Sequence, residues 1–98
     1  MTINKNAEGS NLTIAIEGRL DTTTAPELEN ELKTALDNVT ELTFDLEKLD
    51  YISSAGLRVL LSAQKTMNQK GSMKIKNVKD EIMEIFEVTG FVDILTIE

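Results

Sequence analysis

The sequence predicts a single-domain α/β fold, a mixed and mostly parallel sheet of about four to five strands with about three packed helices. Two observations support this prediction. Along the chain, stretches of alternating apolar and polar residues, which are typical of strands, are interspersed with stretches of helical periodicity. Strands that alternate with helices favour parallel crossover units. The 98 residues suffice for one hydrophobic core, so residues 1–98 are expected to form one domain.

The first two elements are predicted to form a β-hairpin. Turn-forming residues at 6–10 separate a short strand at 2–5 from a second strand at 12–16, in which isoleucine and leucine alternate with other residues. Gly18 closes that second strand. An antiparallel hairpin is therefore expected at one side of the sheet.

The first helix is predicted to follow a polar loop. Thr24 and Glu27 have the spacing of a capping box, and Pro26 falls in the first turn, where it loses no hydrogen bond. The helix buries leucines and alanine along one stripe and ends near 37–38. A strand is expected from Thr40 onward.

The central stretch, 42–67, combines a strand and a helix around a polar joint. Residues 42–46 alternate as in a strand, and apolar residues from Leu57 onward recur at helical spacing up to Lys70. Small residues at 53–56 lie between them. Gly71 is expected to take the left-handed position that ends the helix.

The remaining elements are predicted from the same patterns. Residues 73–76 alternate as a strand, and 77–89 form a third helix that Gly90 ends. The acidic residues of this helix are interpreted as a solvated face. Residues 94–97 are predicted to form a last strand.

The composition excludes several classes of function. The chain contains no cysteine and no histidine, so it lacks a thiolate nucleophile, a Cys-based metal site and the usual general base. No nucleotide-binding glycine loop is present. We therefore expect no catalytic residues, no cofactor and no metal, and hence no enzyme.

Charge and hydropathy constrain the partners. A net charge of −7 with ten scattered Lys and Arg argues against nucleic acid, which needs a basic patch. No apolar run approaches the roughly 20 residues of a membrane span, and the N-terminus lacks a hydrophobic signal core. A soluble, cytoplasmic protein without membrane insertion, monomeric when free, is expected.

Topology brings two loops together. The loop with Asp21 and the loop with Ser54 each leave a strand and enter a helix. If the two strands are parallel, both loops emerge at the carboxyl edge of the sheet, where open α/β sheets place their working surface. Structural alternatives remain: Ser54 can be only an N-cap, and Asp21 only the start of an Asx turn.

Segment 49–57, LDYISSAGL, resembles the signature of STAS domains, specifically the small stand-alone anti-sigma-factor antagonists of bacteria. The turn at 18–21, the strand end at 45–46 and the late turn at 89–91 fall in family order. The resemblance extends over essentially the whole chain and implies a STAS-like fold.

The resemblance implies a phosphorylation site. In the family, the hydroxyl residue two positions before the glycine is phosphorylated by a partner that is both anti-sigma factor and serine kinase. That residue is Ser54, since Gly56 follows Ala55. Many phosphorylated members of the family have an aspartate directly before the target serine, where this chain has Ser53. Many also have Ser or Thr directly after it, where this chain has Ala55. Ser53 is the less favoured alternative acceptor.

The resemblance also implies a partner-binding surface. Asp21 matches an aspartate that lies beside the phosphorylation loop in the family and helps engage the kinase. The predicted partner-binding residues are Asp21, Thr22, Tyr51, Ser53, Ser54, Ala55, Gly56 and Leu57.

The function implied by the resemblance is an anti-sigma-factor antagonist that regulates transcription by partner switching. The unphosphorylated protein binds an anti-sigma serine kinase, phosphorylation of Ser54 breaks the complex, and a PP2C-type phosphatase resets it. The alternative is a non-phosphorylated STAS interaction module, an accessory subunit of a transport or signalling complex.

Overall fold

The chain folds into a five-stranded mixed sheet and three α-helices, which confirms the predicted α/β class. The structure, a computed structural model, describes residues 1–98. The elements in chain order are β1 (Thr2–Glu8), β2 (Asn11–Leu20), α1 (Ala25–Ala35), β3 (Glu41–Asp45), β4 (Leu49–Ile52), α2 (Ser54–Lys70), β5 (Ser72–Lys76), α3 (Asp80–Thr89) and a 3-10 turn (Phe91–Asp93).

Strand β2 organises the sheet. It pairs with β1 in an antiparallel hairpin and runs parallel to β3 along its first half. Its last three residues, 18–20, run parallel to β4 instead. β5 is parallel to β3, so the order is β1-β2-β3-β5 with β4 beside the end of β2. The hairpin and the parallel strands agree with the sequence prediction.

The central strand is split into β3 and β4, where the sequence predicted one strand. Leu46 is fully buried and its N–H donates to the Lys76 carbonyl oxygen at 3.1 Å. The Asp45 side chain accepts the N–H of Glu47 at 3.1 Å and turns the backbone. The Leu49 N–H then donates to the Leu46 carbonyl oxygen, also at 3.1 Å. This turn leads the chain to the end of β2.

The hydrophobic core lies on one face of the sheet. Buried residues of β2, β3 and β5 alternate with half-buried or exposed ones, so the opposite face meets solvent. Twenty-four buried apolar residues form one cluster, in which Phe44 and Phe86 are the largest that are fully buried. None of the helices combines the length and the apolar character needed to cross a bilayer.

The end of the chain differs from its prediction as a strand. Gly90 adopts a left-handed conformation (φ 81°) after α3 and starts the 3-10 turn. Leu95 then returns to the core with 5% exposure. Only Ile97 bridges Ile75, in parallel, so the predicted strand at 94–97 is reduced to one residue pair.

Helix α3 begins at Asp80, three residues after its predicted start. Asn77 takes a left-handed conformation (φ 58°), which a helix cannot include. Its side-chain amide donates to Asp45 Oδ1 at 3.1 Å and so ties the end of β5 to the end of β3.

Gly71 ends α2 without the predicted left-handed conformation. Its φ of 167° is extended backbone, and its N–H donates to the Met67 carbonyl oxygen at 2.7 Å. A Cβ at this position would overlap the carbonyl oxygen of Thr40. Glycine is therefore required by the close approach of two backbone segments.

Replacing Gly71 with alanine is expected to lower the free energy of unfolding by about 1–3 kcal/mol, the usual cost of overpacking. The sign is informative, since Gly→Ala at an unstrained position stabilises by about 0.4–1 kcal/mol. Urea denaturation measures the difference. Ser72→Ala, at the exposed neighbour, should stay within about 0.5 kcal/mol of wild type. A Gly71→Ala protein as stable as wild type would contradict the overlap.

Candidate functional site

Two loops meet where adjacent parallel strands end. β2 ends at Leu20 and leads into α1, and β4 ends at Ile52 and leads into α2. These two residues are cross-strand partners, and the Ser53 N–H donates to the Leu20 carbonyl oxygen at 2.9 Å. The loops that carry Asp21 and Ser54 therefore leave the same edge of the sheet, as the sequence predicted.

Ser53, and not Ser54, is the N-cap of α2. Ser53 has extended backbone (φ −98°, ψ 176°), and its hydroxyl oxygen accepts the Gly56 N–H at 3.5 Å. Ser54 is the first residue of the helix and is exposed to solvent. The N-cap alternative for Ser54 is wrong because the preceding residue takes that position. Its hydroxyl is left at the surface, at the positive end of a 17-residue helix.

Gly56 sets the distance between the first turn of α2 and the strand ends. A Cβ there would lie 2.8 Å from both Ile52 Cγ1 and the Leu20 Cγ, which is closer than side chains approach. Leu57 is also buried, with 5% exposure. The structure therefore differs from the prediction that Gly56 and Leu57 belong to an exposed surface. Both lie on the face of α2 that packs against the sheet, and they position Ser54 at the rim.

Asp21 forms the Asx turn that the sequence left open. Its Oδ1 accepts the Thr23 hydroxyl at 2.8 Å, the Thr23 N–H at 3.0 Å and the Thr24 N–H at 3.2 Å. The Thr23 hydroxyl, followed by these backbone donors, lowers the pKa of Asp21 from 3.8 to about 2, although partial desolvation opposes the shift. The carboxylate is therefore ionised throughout the physiological pH range.

Thr24 holds the same turn and does not form the predicted capping box with Glu27. Its hydroxyl oxygen accepts the Asp21 N–H at 2.8 Å and donates to the Arg19 carbonyl oxygen, also at 2.8 Å. Thr24 is the N-cap of α1 by position, but its side chain makes no cap hydrogen bond. The hydroxyl is already used within the loop.

Arg19 connects the two loops. Its Nε lies 3.7 Å from Asp21 Oδ2, and its Cζ lies 4.3 Å from the centre of the Tyr51 ring. The second contact is a cation–π interaction. Tyr51 is 37% exposed, so the pair forms part of the surface. Sequence reasoning did not assign Arg19 to the site, because its proximity to Tyr51 follows from the strand register and from no local motif.

The site is a surface and not a cleft. Thr22, Tyr51 and Ser54 are exposed, and Asp21, Ser53 and Ala55 are half-buried. The larger depressions of the molecule are lined by other residues. No group of three or more acidic side chains is placed to hold a metal ion. Such a surface suits recognition by another protein better than enclosure of a small molecule.

Comparisons with known proteins agree on one family. The STAS domain family matches residues 2–98. BtrV of Bordetella bronchiseptica, named as a candidate anti-sigma factor antagonist, is 36% identical over 88% of this chain and 76% of its own length. The anti-sigma factor antagonist SpoIIAA in its unphosphorylated form has the same fold, with a TM-score of 0.85 at 17% identity over 99% of this chain and 88% of that chain. The phosphorylated form of SpoIIAA from Bacillus has the same fold, with a TM-score of 0.77 at 17% identity. The match covers 99% of this chain and 91% of that chain.

Asp21→Asn is expected to destabilise the protein at neutral pH, because a carboxylate accepts stronger hydrogen bonds than an amide oxygen. The folded pKa of about 2 lies below the unfolded value of 3.8, so the stabilisation is complete above that unfolded value. It is lost as the pH falls through the folded pKa. Urea unfolding between about pH 2 and pH 7 should show a gap between the two proteins that closes towards pH 2.

Asp37→Asn provides the control, since Asp37 is exposed at the end of α1 and makes no side-chain hydrogen bond. Its effect on stability should be small at neutral pH. A stability gap for Asp21→Asn that stays constant from neutral to acid pH would show that the charge of Asp21 does not stabilise the loop.

Proposed function

The chain belongs to the STAS domain family, among its anti-sigma-factor antagonists, and we propose that it switches partners through the charge on Ser54. The unphosphorylated protein binds an anti-sigma factor that is also a serine kinase, and this frees a sigma factor for transcription. Phosphorylation of Ser54 breaks the complex, and a PP2C-type phosphatase restores the binding form. In this proposal the chain is a cytoplasmic binding protein, monomeric when free, with no catalytic activity of its own.

The placement of Ser54 is the observation that carries the proposal. A kinase must reach the hydroxyl, and Ser54 is exposed at the first position of α2. The neighbouring Ser53 is half-buried and its hydroxyl already caps the helix. Ser54 is therefore the better acceptor of the two serines, in agreement with the family pattern.

The free protein should tolerate a phosphate at this position. A phosphoserine adds about −1.5 to −2 charges at neutral pH. The N-terminus of a helix favours an anion by roughly 0.3–1 kcal/mol, since its first N–H groups lack helical partners. SpoIIAA shares this fold in both its unphosphorylated and its phosphorylated form, which supports a switch without refolding.

The effect of the phosphate must therefore arise in the complex. A partner that covers Ser54 would also cover Thr22 and Tyr51, which are exposed around it. Burying an unpaired dianion in such an interface has a desolvation cost of several kcal/mol. A cost of about 4 kcal/mol would weaken binding about a thousandfold, which is enough to release the partner.

Binding of an anti-sigma serine kinase from the same genome tests the switch. Ser54→Ala should bind within about threefold of wild type, and Ser54→Asp should bind about a hundredfold more weakly, because a single buried carboxylate is costly. Calorimetry measures both. Ser62→Asp, at an exposed serine of the same helix, is the matched control and should bind like wild type. Equal binding of Ser54→Asp and Ser54→Ala would refute the proposal.

The modified residue is identified by incubation with the same kinase and ATP, followed by mass spectrometry. We expect one phosphate on Ser54, none on the Ser54→Ala protein, and retained labelling of Ser53→Ala. Absence of phosphate from both serines would favour the non-phosphorylated interaction module. A phosphate on Ser53 alone would reassign the switch, because that hydroxyl caps α2.

A further inference from the structure

The C-terminal segment 80–98 carries nearly all of the net charge. It contains six carboxylate side chains and no Lys or Arg, whereas residues 1–79 contain eleven acidic and ten basic residues. All six carboxylates are exposed. Only Glu98 forms an ion pair, with Lys74 at 3.5 Å. The unpaired acidic residues are Asp80, Glu81, Glu84, Glu87 and Asp93.

The same segment holds most of the large hydrophobic residues that are exposed. Of the four large hydrophobic residues that are exposed in the molecule, three lie here: Val88 at 83%, Val92 at 40% and Ile94 at 48%. Along α3, one shallow depression is lined by Glu81, Glu84, Ile85, Val88 and Thr89, and these five residues are termed the α3 outer face. Apolar and acidic side chains therefore share one stripe of the helix.

Most of the α3 outer face lies outside the core, since only Ile85 is half-buried and packs against it, whereas its other four residues are exposed. The opposite side of the helix buries Ile82 and Phe86 completely. Carboxylates three or four positions apart repel one another on a helix, and Glu87 lies in a last turn that contains no basic residue. Asp80 and Glu81 suit the positive start of the helix, but Glu84 and Glu87 form an unfavourable charge pattern beside the exposed Val88. A cationic partner would relieve this repulsion between carboxylates.

We propose that the α3 outer face docks a basic amphipathic helix of a partner protein. Ile85 and Val88 offer an apolar stripe, and Glu81 and Glu84 offer charges for Lys or Arg beside the stripe of the incoming helix. Charge selects this occupant. A second copy of the chain would bring two acidic faces together, and nucleic acid or an anionic membrane would be repelled.

The α3 outer face contains none of the residues of the Ser54 site. Helix α3 starts at the edge where β4 and β5 end, and Lys79 pairs with Asp50 there at 2.7 Å. The chain then returns to the side of β5, since Ile97 bridges Ile75 in parallel. Val88 lies about 12 Å along α3 from Asp80, at a rise of about 1.5 Å per residue. The proposal does not depend on the switch at Ser54.

A synthetic peptide serves as the probe. It has about 14 residues of Leu and Lys, about four helical turns, with Leu in one stripe, and a scrambled peptide of the same composition is its control. Titration into the full, isotope-labelled chain at low salt is followed by NMR. We expect chemical-shift changes confined to residues 80–94. The peptide should bind at least about fivefold more tightly than the scrambled peptide.

Variants of the chain locate the binding. The double change Glu81→Lys with Glu84→Lys should weaken binding by about tenfold or more, and Val88→Asp by about tenfold. Their positions are exposed, so the fold should persist, which the NMR spectrum checks. The matched control Glu8→Lys with Glu41→Lys makes the same charge change at other exposed positions and should alter binding less than about twofold.

The proposal would be overturned by equal binding of the scrambled peptide, by equal loss of binding in the control variant, or by chemical-shift changes spread over all acidic regions. Each of these results would show that the peptide binds only through the net negative charge of the chain. Ser54→Asp should bind the peptide like wild type. Loss of binding in that variant would also contradict the proposal, because the two surfaces would then not be separate. If Ser54 proves not to be a phosphorylation switch, the expected binding of the peptide to the α3 outer face stays the same.

Discussion

The contact between the first turn of α2 and the ends of β2 and β4 is the constraint on which the site depends. Gly56 has no side chain, and the space that a Cβ would need is filled by Leu20 and Ile52. Since both residues are buried and paired across the strands, the helix can start only in one place. That place fixes Ser53 as the cap and Ser54 as the first exposed residue. The buried Gly56 thus determines which serine is exposed at the surface.

Two neighbouring serines have different places in the structure. Ser53 satisfies a backbone donor of the helix, and Ser54 is left at the surface. The same division occurs in the adjacent loop, where the carboxylate of Asp21 and the hydroxyl of Thr24 satisfy the turn, and Thr22 projects outward. Modification of an exposed hydroxyl therefore changes charge without removing a hydrogen bond that the fold needs. A switch built in this way can act on a complex and leave the free protein intact.

The sequence was sufficient for the fold class and for placing the Asp21 and Ser54 loops at one edge of the sheet, and it failed where distant segments meet. Alternation and helical spacing are local, so they predicted the three helices and the loop that carries Ser54, but not the break between β3 and β4. The stacking of Arg19 on Tyr51 depends on strand register, which no local pattern records. The close approach of Gly71 to Thr40 and the burial of Gly56 arise from packing between segments far apart in the chain. The predicted last strand at 94–97 did not form because one left-handed glycine, Gly90, leads the chain into a 3-10 turn, and only Ile97 pairs with the sheet.

The exposure of the loop residues at the candidate site has an evolutionary consequence. Thr22, Tyr51 and Ser54 are exposed, so substitutions there have little effect on folding, whereas the residues beneath them are fixed by packing. After gene duplication, two copies of such a domain can acquire different specificities by changing a few side chains. Paralogues can then serve insulated pathways in one cell without cross-talk and without loss of the shared scaffold.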